Sequence, residues 1–234
     1  MTKIPPGFAI AIDGTMGVGK STVARLLAHM LGITYIDTGA MYRVVALYSL
    51  QNGITDPTLL ESSLQNINID LRYENGAQRV FLNGQDVTGL IRTQEISDIT
   101  SKHIAVNEAV RQKLVAQQQE MAKTGAVVMD GRDIGSRVLP GAQVKIYLDA
   151  SPEIRARRRT LELESKGQPA DYETVLAETI QRDRRDTTRA ISPLTQTPDA
   201  IYIDTGHMNQ QEVAEKIAEI VKEVLSCSTK PCDS

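Results

Sequence analysis

Two periodicities alternate along this chain. Short apolar runs rich in β-branched residues occur at 8–12, 34–36, 126–129, 144–148 and 200–203, each with the length of a buried strand. Between them, apolar residues recur at helical spacing: Val23, Leu26, Leu27, Met30 and Leu31 after the first run, and Val213, Ile217, Ile220, Val221 and Val224 near the end. Helices are also predicted over 40–51, over 92–123 with a break near Val106 and Asn107, from Glu153 to the stop at Gly167, and over 172–187. Ser151 and Pro152 read as the cap and first residue of the 153–167 helix. Strands and helices alternating in this way predict a three-layer α/β fold with a central, largely parallel sheet, whose strand ends line a ligand crevice.

One stretch breaks the alternation. Ile67, Ile69 and Leu71 alternate with polar residues, Asn75-Gly76 and Asn83-Gly84 are turn signals, and Val80, Phe81 and Leu82 form another short run. A small antiparallel insert is expected here, over about 63–90. The rest reads as one domain over 1–234, with 226–234 as a polar, frayed tail that carries both cysteines, Cys227 and Cys232.

Composition narrows the function classes. With 29 acidic against 26 basic residues and a net charge of −3, no global basic field exists to hold nucleic acid or an anionic membrane. No apolar run reaches the length of a membrane span, and residues 1–7 lead into the first strand with no signal-peptide core, so a cytoplasmic protein is expected. Two cysteines are too few for a metal site of their own, and His29, His103 and His207 share no spacing that suggests a metal or a nucleophilic triad.

The sharpest chemistry follows the first strand. Gly14, Thr15, Met16, Gly17, Val18, Gly19, Lys20, Ser21 and Thr22 match the Gly-x-x-x-x-Gly-Lys-Ser/Thr spacing of a phosphate-binding loop, flanked by strand and helix as that loop requires. Backbone amides and the helix N-terminus form a seat for an oligophosphate, Lys20 reaches its outer phosphates, and the Ser21 hydroxyl is a ligand for Mg2+. Asp130 ends a buried strand where such proteins place a carboxylate near the Mg2+ shell, acting through water. The loop alone leaves kinase, switch and motor open.

Two arginine clusters stand out against the negative net charge: four between Arg155 and Arg159, Arg158 among them, and four between Arg182 and Arg189. A solvated helix face explains many such runs. Here Arg182, Asp186 and Arg189 fall at i, i+4 and i+7, on one face if the helix persists to Arg189, and phosphoryl transfer needs positioned cations. A lid over about 153–170, hinged near Gly167 and carrying Arg158 as a catalytic cation, is the expectation. The guanine-reading Asn-Lys-x-Asp motif of a GTPase switch is absent.

Five blocks carry a more specific likeness: Ala11-Ile12-Asp13-Gly14, Ile36-Asp37-Thr38-Gly39-Ala40-Met41-Tyr42-Arg43, Ile91-Arg92-Thr93-Gln94-Glu95, Asp130-Gly131-Arg132-Asp133-Ile134-Gly135, and Arg182-Asp183-x-x-Asp186-x-x-Arg189 with Ser192-Pro193-Leu194. Together they resemble bacterial cytidylate kinases, over about 10–224. The resemblance implies a phosphate-loop kinase fold with a nucleotide-binding insert and a helical lid. It also implies phosphoryl transfer from ATP to CMP or dCMP with Mg2+, by a monomer. Lys20, Arg132, Arg158 and Arg189 would be catalytic. Arg43, Arg132 and Arg189 would hold the acceptor phosphate; Arg182, Asp186 and Ser101 its sugar; Arg111, Asp133 and Ser101 its base; and Thr38 joins the acceptor set. Thr15 and Met16 depart from the family, where small residues or proline are commoner.

Overall fold

The structure, a computed structural model, describes residues 4–74 and 77–228. The Asn75-Gly76 turn and Cys232 lie outside the described residues. The chain folds into two compact units, one built from residues 1–35 and 121–234 and the other from 36–120.

The first unit is built on β1 (Ala9–Gly14), which pairs in parallel with β6 (Val127–Asp130) on one side and with β7 (Val144–Asp149) on the other. Beyond β7 lies β8 (Ile201–Asp204), also parallel, and beyond β6 lies β2 (Thr34–Asp37), giving the order β2-β6-β1-β7-β8. The predicted central parallel sheet is thus present. Every residue of β1 is buried, because the strand is covered on both faces. Phe8, Ile10 and Ile12 point one way and join α1 (Lys20–Leu31) and α8 (Gln210–Ser228) in a single apolar cluster with Val23, Leu27, Ile146, Ile217 and Val221. Ala9, Ala11 and Asp13 point the other way. There β1 packs against a short π-helical turn, Ile134–Val138, which the periodicity does not reveal.

Two further helices belong to this unit. α6 (Pro152–Ser165) is capped by Ser151, whose Oγ accepts from Ile154 N at 3.3 Å, and Pro152 opens it as expected. α7 (Tyr172–Thr188) packs against it and ends one residue earlier than the Arg182–Arg189 spacing needs. Arg189 is the C-terminal cap with extended backbone, φ −62° and ψ 140°, so it leaves the helical face that Arg182 and Asp186 share. α8 runs three residues into the expected tail, ending at Ser228 with Cys227 exposed on it.

The second unit begins at α2 (Thr38–Gln51), two residues before the predicted start. Asp37 caps it, its Oδ1 accepting from Ala40 N at 2.9 Å. A short helix, α3 (Pro57–Ser63), precedes the antiparallel sheet of β3 (Ile69–Glu74), β4 (Ala77–Leu82) and β5 (Gln85–Asp86), which is the expected insert. α4 (Gln94–Ile99) and α5 (Glu108–Lys123) stand on either side of a π-helical turn, Thr100–Ile104. The sheet is fastened to α5 through backbone carbonyls: Lys113 Nζ donates to Leu64 O and Ile67 O, and Gln117 Nε2 to Ile69 O at 2.7 Å.

Candidate active site

Geometry at the end of β1 forces the first glycine. A Cβ on Gly14 would stand 1.9 Å from the carbonyl oxygen of Leu148 on the neighbouring strand, and its φ of +145° is one that side chains rarely adopt. Only a residue without a side chain lets the loop leave the sheet here. The loop then wraps to Gly19, which caps α1 with a positive φ of 90° and no side-chain acceptor, leaving first-turn amides at the positive end of the helix. Val18 is buried in the apolar cluster and holds the loop down. Thr22 lies in the first turn, its hydroxyl accepting weakly from Arg25 at 3.4 Å.

Lys20 is folded inward. Its ammonium donates to the carbonyls of Gly14 at 2.9 Å and Thr15 at 2.6 Å, and the side chain is buried. Burial pulls its pKa well below the ordinary lysine value, and the charge of Arg132 adds to this; Asp130, Asp186 and Asp13 offset part. Burial and the Arg132 charge thus outweigh the three nearby carboxylates, so an incoming anionic phosphate would stabilise the ammonium.

Ser21 and Asp130, 109 residues apart, meet at 2.8 Å from Oγ to Oδ2. The other carboxylate oxygen accepts from the Tyr35 hydroxyl at 2.8 Å, which fixes the group's orientation. Two neighbouring oxygen donors beside a phosphate loop suit a hard cation, and Mg2+ characteristically takes one or two protein oxygens and completes its shell with water and phosphate. Among the described residues no group of three or more His, Cys, Asp or Glu side chains is placed to hold a metal by itself.

A second cluster holds two of the cations expected at the acceptor. Arg132, on the loop after β6, donates Nε to Asp186 Oδ2 at 2.8 Å; Arg189 donates Nε to Ser192 O at 2.5 Å, and its Nη2 lies 3.7 Å from Asp133 Oδ1. The Ser192-Pro193-Leu194 block thus has a structural purpose: its first carbonyl aims Arg189, and Leu194 N closes onto Asp186 O at 2.7 Å. Burial would push Asp186 up, but Arg132 first, then Arg182 and Arg189, outweigh it and hold the carboxyl below its usual range. Burial likewise works against the Arg132 charge, and Asp186 reverses it.

Thr38, Arg43, Ser101 and Arg111 all belong to the second unit. Thr38 opens α2 and is buried, and Arg43 lies one turn further along the same helix. Ser101 lies in the π-helical turn, donating to Asp98 O at 3.2 Å. Arg111 is buried on α5, its guanidinium carbon 5.6 Å from the centre of the Tyr42 ring.

Arg158 is placed elsewhere than on the phosphate loop. Its guanidinium donates to Thr205 O at 2.7 Å and Gly206 O at 3.3 Å, on the loop between β8 and α8. The arginine that reaches the phosphate loop is Arg155, whose Nη1 donates to Met16 O at 3.0 Å. Sequence periodicity could not separate these two members of one cluster. Two other contacts were not legible in the sequence. Thr15, one of the departures from the family pattern, donates its hydroxyl to Asp149 Oδ1 at 2.7 Å. Asp13 receives the amides of Ile134 at 2.8 Å and Gly135 at 2.7 Å, and burial raises its pKa to about 6 against those hydrogen bonds, with Asp133 adding to the rise. An acid inside an otherwise apolar strand was the available signal.

Comparison with known proteins identifies the family. The model of the cytidylate kinase family matches residues 10–223. The chain is 47% identical to the cytidylate kinase of Geobacillus sp. (strain WCH70), covering 92% of this chain and 96% of that one. It is 48% identical to the cytidylate kinase of Shouchella clausii (strain KSM-K16), covering 93% and 97%. Among solved structures, a gluconokinase from Sinorhizobium meliloti 1021 is similar with a TM-score of 0.50 at 13% identity, covering 96% of this chain and 98% of that one, a likeness of fold alone. With the family model matching residues 10–223 and curated relatives 47–48% identical over more than nine-tenths of the chain, the chain belongs to the cytidylate kinase family.

Proposed function

We propose that this protein transfers the γ-phosphoryl group of ATP to CMP and dCMP, giving the nucleoside diphosphate and ADP, as a cytoplasmic monomer that requires Mg2+. The observation that carries the reading is the braced cation pair next to the phosphate loop: Arg132 and Arg189 held by Asp186, Asp133 and Ser192 in one unit with Lys20.

The chemistry follows from these groups. Phosphoryl transfer spreads charge over the oxygens of the moving group, and cations already in position stabilise that charge without reorganisation. Lys20, released from the Gly14 and Thr15 carbonyls, turns to the donor's outer phosphates. Arg132 and Arg189 hold the acceptor phosphate, which is ionised near neutral pH and attacks directly, so no general base is needed. Bound at Ser21 and Asp130, Mg2+ would neutralise charge on the donor phosphates. Arg182 and Asp186 are assigned to the acceptor sugar. Arg158 is assigned to the donor phosphates after lid closure, which requires it to leave Thr205 and Gly206.

Base choice rests on complementarity. Cytosine presents acceptors at O2 and N3 and a donor at N4, which an arginine and a carboxylate match; uracil reverses the pattern at N3 and position 4. Asp133 and Arg111 supply those groups, with Ser101, while Thr38 and Arg43 of the second unit complete the acceptor set. A buried carboxylate facing uracil O4 would be left unpaired, which sites use to reject near-isosteres. The test is ADP release from ATP and Mg2+ with CMP, dCMP, UMP, dTMP and AMP offered separately. Turnover concentrated on CMP and dCMP is the expected result; faster turnover of another acceptor overturns the specificity assignment.

A further inference from the structure

Arg155 has no role in the chemistry above, yet its side chain is only 3% exposed and its guanidinium is held on three sides. Nε donates to Ala150 O at 2.8 Å at the end of β7, Nη1 to Met16 O at 3.0 Å in the phosphate loop, and Nη1 and Nη2 to the two oxygens of Asp183 at 3.0 and 2.5 Å. The paired contact to Asp183 is the parallel two-bond geometry that fixes a guanidinium in orientation as well as in place. Backbone packing points to the same spot independently. A Cβ on Gly17 would come within 3.3 Å of Arg155 Cβ, so the loop lies directly against this residue. Asp183 stands on α7 between Arg182 and Asp186, on the helix whose Asp186 braces Arg132 and whose C-terminal cap is Arg189.

We infer that Arg155 is a positioning residue for phosphoryl transfer: with Asp183 it suspends the phosphate loop, through the Met16 carbonyl, from the helix whose Asp186 braces Arg132 and whose C-terminal cap is Arg189. Donor seat and acceptor cations are thereby held in one rigid register. A lysine cannot replace it fully, since one ammonium does not offer the planar fork that spans a carboxylate and a carbonyl together. In-line transfer is sensitive to such register, because displacements of about 1 Å cost on the order of a hundredfold in rate.

The inference rests on reading the loop as the ATP seat, and its test needs no acceptor. A non-hydrolysable ATP analogue with Mg2+ is titrated calorimetrically into the parent protein, Arg155→Met, Arg155→Lys and Asp183→Asn, with CMP titrated separately. Arg155→Met is expected to weaken analogue binding and lower kcat by about tenfold or more each while CMP affinity moves by less than about threefold, the register loss acting on the donor side. Arg155→Lys recovers part of this. Asp183→Asn weakens the analogue in the same direction, although among the described residues Asp183 meets the loop through Arg155. Folded variants that melt well above the assay temperature yet bind the analogue within about twofold of the parent overturn the inference, and so does an equal loss toward CMP, which marks general loosening. If Arg155→Met does not fold, the other two variants decide. A parent that binds the analogue but leaves CMP unphosphorylated sinks the acceptor assignment and leaves this test intact.

Discussion

Arg132 and Asp186, 54 residues apart, are joined by a 2.8 Å hydrogen bond in a largely buried setting, with side chains 21% and 11% exposed. The carboxylate holds the guanidinium where an acceptor phosphate would need it. Asp186→Asn is therefore expected to raise the KM for CMP more than that for ATP, and to destabilise the fold toward the lower end of the about 3–5 kcal/mol typical of a broken buried pair. The folded-state pKa of Asp186 lies below its unfolded value, so its stabilisation is present above the ordinary carboxylate range and is lost as pH falls through the folded pKa. Urea unfolding of parent and variant should show the stability gap closing below about pH 4.

Lys20 stands in the opposite situation. Its ammonium is buried and donates to two backbone carbonyls, and burial with the Arg132 charge depresses its pKa more than Asp130, Asp186 and Asp13 raise it, so the charged form costs the ligand-free protein stability. Lys20→Met should lower kcat/KM for ATP by at least about a hundredfold, as removal of a positioned transition-state donor does, while its melting temperature equals or exceeds that of the parent. A variant that loses activity only in proportion to a lowered melting temperature would contradict this.

The Ser21, Asp130 and Tyr35 chain predicts a graded dependence on Mg2+. Asp130→Asn should shift the Mg2+ concentration for half-maximal activity upward by about 10–100-fold, and Tyr35→Phe, which removes one hydrogen bond of about 1 kcal/mol orienting the carboxylate, should shift it less. Equal responses of both variants, or none, would remove Asp130 from the cation site.

Asp13 should titrate with a midpoint near 6, measurable by carbon NMR of its carboxyl group. Its folded pKa is raised from 3.8 to about 6, so the protonated form is favoured in the fold: the stabilisation is complete below the unfolded pKa and is lost as pH rises through 6. At 1.36 kcal/mol per pKa unit, that loss is about 3 kcal/mol. Asp13→Asn should lack this pH-dependent component, so the parent gains stability relative to the variant between pH 7 and 4.

Much of this architecture was legible in the sequence because it depends on near neighbours. Apolar runs such as 8–12 and 144–148 have to be strands, the first of them buried on both faces, Ser151-Pro152 has to start a helix, and the Gly14 to Ser21 spacing builds its amide hollow from consecutive residues. Lys20, Ser21 and Asp130 could be picked out by their place at strand ends. The π-helical turns and α3 escaped because their apolar residues are too few to set a period.

Pairings across long separations belong to the tertiary structure alone. Nothing local distinguishes Arg155 from Arg158, since both sit in one arginine run; which one faces the phosphate loop depends on the roll of α6 against α7, and that roll is set by packing. Arg189 illustrates the same limit: helical spacing placed it with Arg182 and Asp186, whereas the fold ends α7 at Thr188 and aims Arg189 through the carbonyl of Ser192. Sequence by itself determined which residue types the chemistry requires and the elements that carry them. Only the fold decided which charges meet, because a buried guanidinium or carboxylate must find its partner wherever packing brings one within hydrogen-bonding reach.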